Sequence, residues 1–280
     1  MLGAIIGDIV GSRFEWNNSK SKSFEFITDG CHITDDSIMT LAVARAILAC
    51  NGRYDRLDEA AVVAMREIGR PYPHCGYGGK FQQWMYSDDP QPYNSFGNGA
   101  AMRVSPCGFA ARSLDEVKLL ARKVTEVSHN HPEGIKGAEA TAVCVYLART
   151  GKSIAEIREY VNAAYYPLDF TLDGIRAAYR FDVSCQGSVP QAITAFLEST
   201  DFEDAIRNAV SIGGDSDTIA AIAGGIAEAY YGVPTALRRQ ALAFLDNRLA
   251  AILVDFENAH PLPRFKVTAG NPDAALHVRD

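Results

Sequence analysis

The stretch TDDSIMTLAVARAILAC, from Thr34 to Cys50, decides the fold. Ile38, Leu41, Val43, Ala44, Ile47 and Leu48 recur at helical spacing and form a broad apolar stripe, which predicts a helix from Asp36 to Cys50 packed on a core. Thr34 or Asp35 stands where an N-cap belongs. Two adjacent carboxylates, Asp35 and Asp36, therefore lie at a helix start between two hydroxyls.

Working outward, Leu57 to Ile68 repeats the helical pattern and is stopped by Gly69 and Pro71. Ser113 with Glu116 and Ser153 with Glu156 read as capping boxes that open two further helices, and Pro132 opens another that ends near Gly151. Gln191 to Glu198, Phe202 to Ser211, Thr218 to Tyr231, Thr235 to Phe244 and Asn247 to Asn258 complete the helical set. Gly224 and Gly225 fall inside one of these runs. Each costs about 1 kcal/mol of helix propensity, which is tolerated where another backbone packs closely, so a tight helix contact is expected there. No alternating run of strand length appears. Loops rich in Gly, Pro, Asn and Asp are expected over 69–79 and 87–99, with an irregular tail over 260–280. The expectation is an all-α chain of one domain, 1–280.

Composition narrows the function classes. A chain of 280 residues with 48% hydrophobic and 22% charged residues can bury a large core, and a mean hydropathy of -0.07 argues against a membrane protein. The apolar N-terminus MLGAIIGDIVGS has no basic flank and is interrupted by Asp8, which fits no secretory signal, so a cytoplasmic location is expected. Six cysteines without a CxxC pair suit neither a zinc site nor a disulfide framework. A net charge of -7 without a Lys/Arg cluster repels polyanions, so no structural nucleic-acid partner is expected.

A second cluster, Gly213-Gly214-Asp215-Ser216-Asp217-Thr218, again places carboxylates at a helix start. Taken singly, each cluster is explained as well by capping, since helix N-termini favour anions by roughly 0.3–1 kcal/mol. Together they supply carboxylate and hydroxyl oxygens of the kind preferred by hard cations such as magnesium or manganese. If the fold juxtaposes them, four carboxylates need a cation. Gly213 and Gly214 permit the sharp turn that such a site requires.

The ordered set Gly7-Asp8 with Gly11 and Glu15, then TDDS, FGNGAAMRVSP (from Phe96), SHNHPEG (from Ser128) and GGDSDTIAAIAGG (from Gly213) resembles the motifs of the ADP-ribosylglycohydrolase family, from Met1 to about Tyr231. The resemblance implies an orthogonal helical bundle with two Mg2+ or Mn2+ ions. Their ligands would be Thr34, Asp35, Asp36, Asp215, Asp217 and Thr218, with Asp217 bridging. Ser216, where many relatives carry Thr, lies between ligands and leaves that set intact. Glu15 would lie on a flap near the scissile bond, outside the metal shell. Gly78 and the run Asn94, Ser95, Phe96, Gly97, Asn98 and Gly99 would hold diphosphate and adenosine. Phe96 would stack on adenine where relatives often have Tyr, and His129 would touch substrate. Read from the residues alone, the loop is a turn and the His129/His131 pair beside Pro132 is packing or capping.

On this reading the cations fix the ribose diol and lower the pKa of an attacking water, while carboxylates near the ring stabilise an oxocarbenium-like state. Glu15, with Asp35 and Asp36, is the candidate for proton transfer. The partner is an ADP-ribosylated protein or small-molecule ADP-ribose conjugate, with arginine, serine, an acyl group or a small molecule left open as the acceptor, and a monomer is expected. The alternative is a non-catalytic, crystallin-like relative with a binding or structural role, against which the intact ligand set argues. Diphosphate-handling helical enzymes fit poorly, because no DDxxD and no His-Asp ligand pair is present.

Overall fold

The computed structural model describes residues 1–262, and its regular structure is helical. A single bridge between Gly97 and Ser184 is the sole extended pairing among the described residues. The first helices are α1 (Leu2–Gly11), α2 (Asp35–Cys50), α3 (Leu57–Gly69), α4 (Gly79–Tyr86), α5 (Gly99–Met102), α6 (Ser105–Ala110), α7 (Leu114–Glu126) and α8 (Pro132–Arg149). They are followed by α9 (Ile154–Ala164), α10 (Leu172–Arg176), α11 (Cys185–Leu197), α12 (Phe202–Ser211), α13 (Ser216–Tyr231), α14 (Thr235–Leu242) and α15 (Asn247–Ala259). From 263 onward the expected tail lies outside the described residues. No described helix is long and apolar enough to cross a membrane.

Capping chemistry sets several of these starts. Thr34 caps α2 by accepting from the Asp36 N–H, Asp201 caps α12 through Asp204, and Ser153 with Glu156 forms a full reciprocal box on α9. At α7 only half of the expected box forms. Ser113 accepts from the Glu116 N–H, but the Glu116 carboxylate turns to the Arg112 N–H at 2.6 Å. α11 begins at Cys185 rather than Gln191, because Ser184 caps it and Pro190 is accommodated inside the helix, where it forgoes a single backbone bond.

The contact that positions the site is α1 on α13. α1 is buried on every side, and Asp8 is its one polar side chain, so its run reads as an apolar N-terminus rather than as a surface helix. Gly3, Gly7 and Gly11 form a stripe along it. A Cβ on Gly3 would lie 2.2 Å from the Gly224 carbonyl oxygen, one on Gly7 2.0 Å from that of Ala220, and one on Gly11 2.5 Å from the Asp217 Cα. The two backbones therefore touch in antiparallel register, the close packing expected at Gly224. This register brings the C-terminal end of α1, with Asp8, to the N-terminal end of α13, with Asp217.

Candidate active site

The two acidic motifs, 180 positions apart in the chain, converge where the N-terminal ends of α2 and α13 meet. Asp8 organises the first. Its Oδ2 accepts from the N–H of Thr34 (2.9 Å) and of Ser37 (3.1 Å) and from the Ser37 hydroxyl, and its Oδ1 accepts from Thr34 Oγ1 at 2.7 Å. The second motif is presented by Gly213 and Gly214, at φ +67° and +79°, values that only glycine adopts readily. Asp215 occupies the N-cap position of α13 yet makes no side-chain capping bond there. Its Oδ2 instead accepts from Asn98 Nδ2 at 2.7 Å. Thr218 Oγ1 donates to Asp36 Oδ2 at 3.1 Å and ties the motifs together.

Two acidic groups result. Asp8, Asp36 and Asp217 each place a carboxylate oxygen within 4.8 Å of the others, and so do Glu15, Asp215 and Asp217, with Asp217 common to both. Asp8 belongs to the first group by distance, but its oxygens are already occupied by four donors, so we read it as the residue that orients the Thr34–Ser37 turn. Asp36 Oδ1 and Asp217 Oδ1, by contrast, are buried with no hydrogen-bond partner. A buried carboxylate oxygen without a donor is costly unless a cation faces it.

The electrostatics agree. Burial, reinforced by Asp8, holds the carboxyls of Asp35 and Asp36 well above their ordinary range. Burial and Asp36 do the same to Asp217, and burial also raises Asp8 and Asp215. Glu15 is pushed up to about 7 by burial and by Asp215 and Asp8. Five aspartates and a glutamate crowded into one largely buried site form a pocket of negative potential that a divalent cation would relieve. The donors are all oxygens, which fits magnesium or manganese.

Not every site residue named from sequence lies in the tight groups. Asp35 is half-buried and points toward the Cys75–Gly76 loop, where a Cβ on Gly76 would be 3.2 Å from Asp35 Oδ1. Glu15 lies in the second group, beside Asp215 and Asp217.

Gly78 caps α4 at a point open enough that a Cβ would meet nothing within 4 Å. Asn94 takes a left-handed φ of 54° and donates its N–H to Asn130 Oδ1, and Ser95 Oγ accepts from the Gly97 N–H. Phe96 is exposed, with its ring edge-to-face with His131 at 5.3 Å, and His131 itself caps α8.

His129 is buried beneath this loop, its Nε2 3.3 Å from where a Cβ on Gly99 would stand. Burial, together with the buried Arg103, keeps the imidazole neutral, with a pKa well below the usual histidine range. Ser128 Oγ accepts from Arg103 and shares a hydrogen bond with His129 Nδ1 at 2.8 Å, while His129 Nε2 faces Gly97 and Gly99.

Sequence alone shows Asp8 only as part of a motif and reveals neither its task nor the bond from Asn98 to Asp215. The GD pair in an otherwise apolar helix was the available signal for the first: a carboxylate buried there must find donors.

A model of the ADP-ribosylglycohydrolase family matches residues 1–261. The chain belongs to the ADP-ribosylglycohydrolase family. Among relatives, human ADP-ribosylhydrolase ARH3 is 27% identical over 309 aligned positions, covering 83% of this chain and 84% of the relative. The ADP-ribosyl-dinitrogen reductase glycohydrolase of Rhodospirillum rubrum is 29% identical, covering 83% of this chain and 84% of that protein. A solved ADP-ribosylglycohydrolase-related protein complex superposes with a TM-score of 0.68 at 23% identity, over 92% of this chain and 95% of that one, and shares the fold. Family membership makes this ADP-ribosylglycohydrolase a hydrolase of glycosyl bonds.

Proposed function

We propose that the protein releases ADP-ribose from an ADP-ribosylated protein or small-molecule conjugate, using two divalent cations, magnesium or manganese. Thr34, Asp35, Asp36, Asp215, Asp217 and Thr218 would hold them. The observation that carries this reading is the pair of acidic groups meeting at Asp217, with donorless oxygens on Asp36 and Asp217. When bound, the cations supply charge to orient the ribose diol and to lower the pKa of water.

The remaining work falls to the chain. Asp8 and Asn98 fix the Thr34–Ser37 turn and the Asp215 carboxylate, so the ligand oxygens need little reorganisation. Glu15, whose carboxylate lies beside Asp215 and Asp217, is placed to transfer a proton at the bond that breaks. The exposed Phe96 ring offers a face to adenine, and the neutral His129 turns its Nε2 toward the glycine loop, where the rest of the nucleotide would lie. The relatives named for hydrolysis of ADP-ribosylated substrates support the same substrate class.

The test is release of free ADP-ribose from arginine-, serine- and acetyl-linked conjugates in the presence of magnesium. Turnover of at least one conjugate is expected, and the one cleaved identifies the acceptor. Tight binding of ADP-ribose with no release from any conjugate would favour the non-catalytic alternative.

A further inference from the structure

The loop between α1 and α2 carries Glu15 and contains little regular structure of its own beyond a single turn over Ser12–Phe14. Something else must set where Glu15 stands. One side chain spans the gap. Asn18, although exposed, donates from Nδ2 to the carbonyls of Phe14 (2.7 Å), Glu15 (2.9 Å) and Gly214 (3.0 Å), and its Oδ1 accepts from the Gly214 N–H at 2.8 Å. Lys20 reinforces it by donating to the carbonyls of Tyr179, at 2.9 Å, and Ile212. The turn is shaped to receive both, because a Cβ on Gly213 would stand 3.0 Å from Asn18 Oδ1 and from Lys20 Nζ.

We propose that Asn18 is a positioning residue whose amide locks the Glu15 loop in register with the Gly214–Asp215 turn. It bonds the Glu15 carbonyl directly and both backbone groups of Gly214, the residue before Asp215. Glu15 and Asp215 lie in one acidic group, within 4.8 Å of Asp217 and of each other. The register of loop and turn therefore sets the spacing of those carboxylates. Asn18 acts through Glu15 and touches no reacting atom. This role rests on the proposed hydrolase reading, so its test includes a measurement that needs no turnover.

The informative variant is Asn18→Asp, which keeps the size and the acceptor toward the Gly214 N–H but loses every donor contact. Asn17→Ala, in the exposed neighbour, is the control. Turnover should fall by about 10–100-fold, the usual effect of disturbing residues that orient a metal site, with KM changed less than about threefold and helicity retained. In a Glu15→Gln background the same substitution should add less than about threefold, because the residue through which it acts is already disabled. Separately, amide exchange in the 14–18 and 212–215 segments should rise about tenfold without substrate, in line with loss of a net hydrogen bond.

Equal losses in both backgrounds would overturn the positioning role, and so would unchanged turnover. Unchanged amide exchange would overturn the clamp itself, even if wild type cleaved no conjugate and the hydrolase reading had failed on its own.

Discussion

Asp217→Asn is expected to abolish divalent-cation binding and to lower turnover by at least about 10³-fold, roughly 4 kcal/mol of transition-state stabilisation, while far-UV circular dichroism stays unchanged. Asp217 is the one carboxylate common to both acidic groups, and its Oδ1 has no donor. The amide keeps the shape of the side chain but removes the charge that a cation needs. Capping is not lost with it, because the N-cap position of α13 belongs to Asp215, which makes no capping bond, and α13 is held by its buried faces. Relief of repulsion from Asp36, Asp215 and Glu15 should leave the metal-free melting temperature the same or higher. Unfolding of the variant would return the acidic motifs to a structural role. Intact metal affinity with full turnover would remove Asp217 from the site.

Glu15→Gln should separate chemistry from binding. The Glu15 carboxyl is half-buried, raised to about 7, and placed beside Asp215 and Asp217. Loss of general acid or base help is typically worth about 10²–10⁴-fold, so kcat should fall in that range with the Kd for ADP-ribose nearly unchanged. Four aspartates remain to hold cations on helix starts, and metal affinity should fall less than about tenfold. Calorimetric titration with manganese, run beside the kinetics, decides the role. A variant that no longer binds metal makes Glu15 a ligand, and one as active as wild type makes it a surface residue.

Much of the helical framework was legible because local rules govern it. The run Phe202–Ser211 is bounded as its pattern predicts, and Thr34, Ser113, Ser153 and His131 all cap helices that the sequence marks. α1 escaped because its short run, apolar but for Asp8, reads as an apolar N-terminus rather than as a helix with a solvent face. α4, α5 and α6 escaped because they are short and lie among glycines and prolines that read as turns. The acidic motifs could be found in sequence, but their convergence could not be read from periodicity or spacing. It depends on the glycine stripe of α1 lying on α13 and on Asp8 reaching across to the start of α2, contacts between residues far apart in the chain. Asn98 shows the same limit. A glycine-flanked asparagine resembles a substrate-binding loop, and only the tertiary structure reveals its bond to Asp215.

The central claim is that these motifs work by holding divalent cations, and chelation tests it most directly. Protein treated with EDTA and freed of it by gel filtration is assayed for ADP-ribose release, first without metal and then with magnesium, manganese or zinc added back. The account predicts loss of turnover on chelation, recovery with magnesium or manganese, and poor recovery with zinc, because every proposed ligand is an oxygen. Full turnover after rigorous chelation would contradict it.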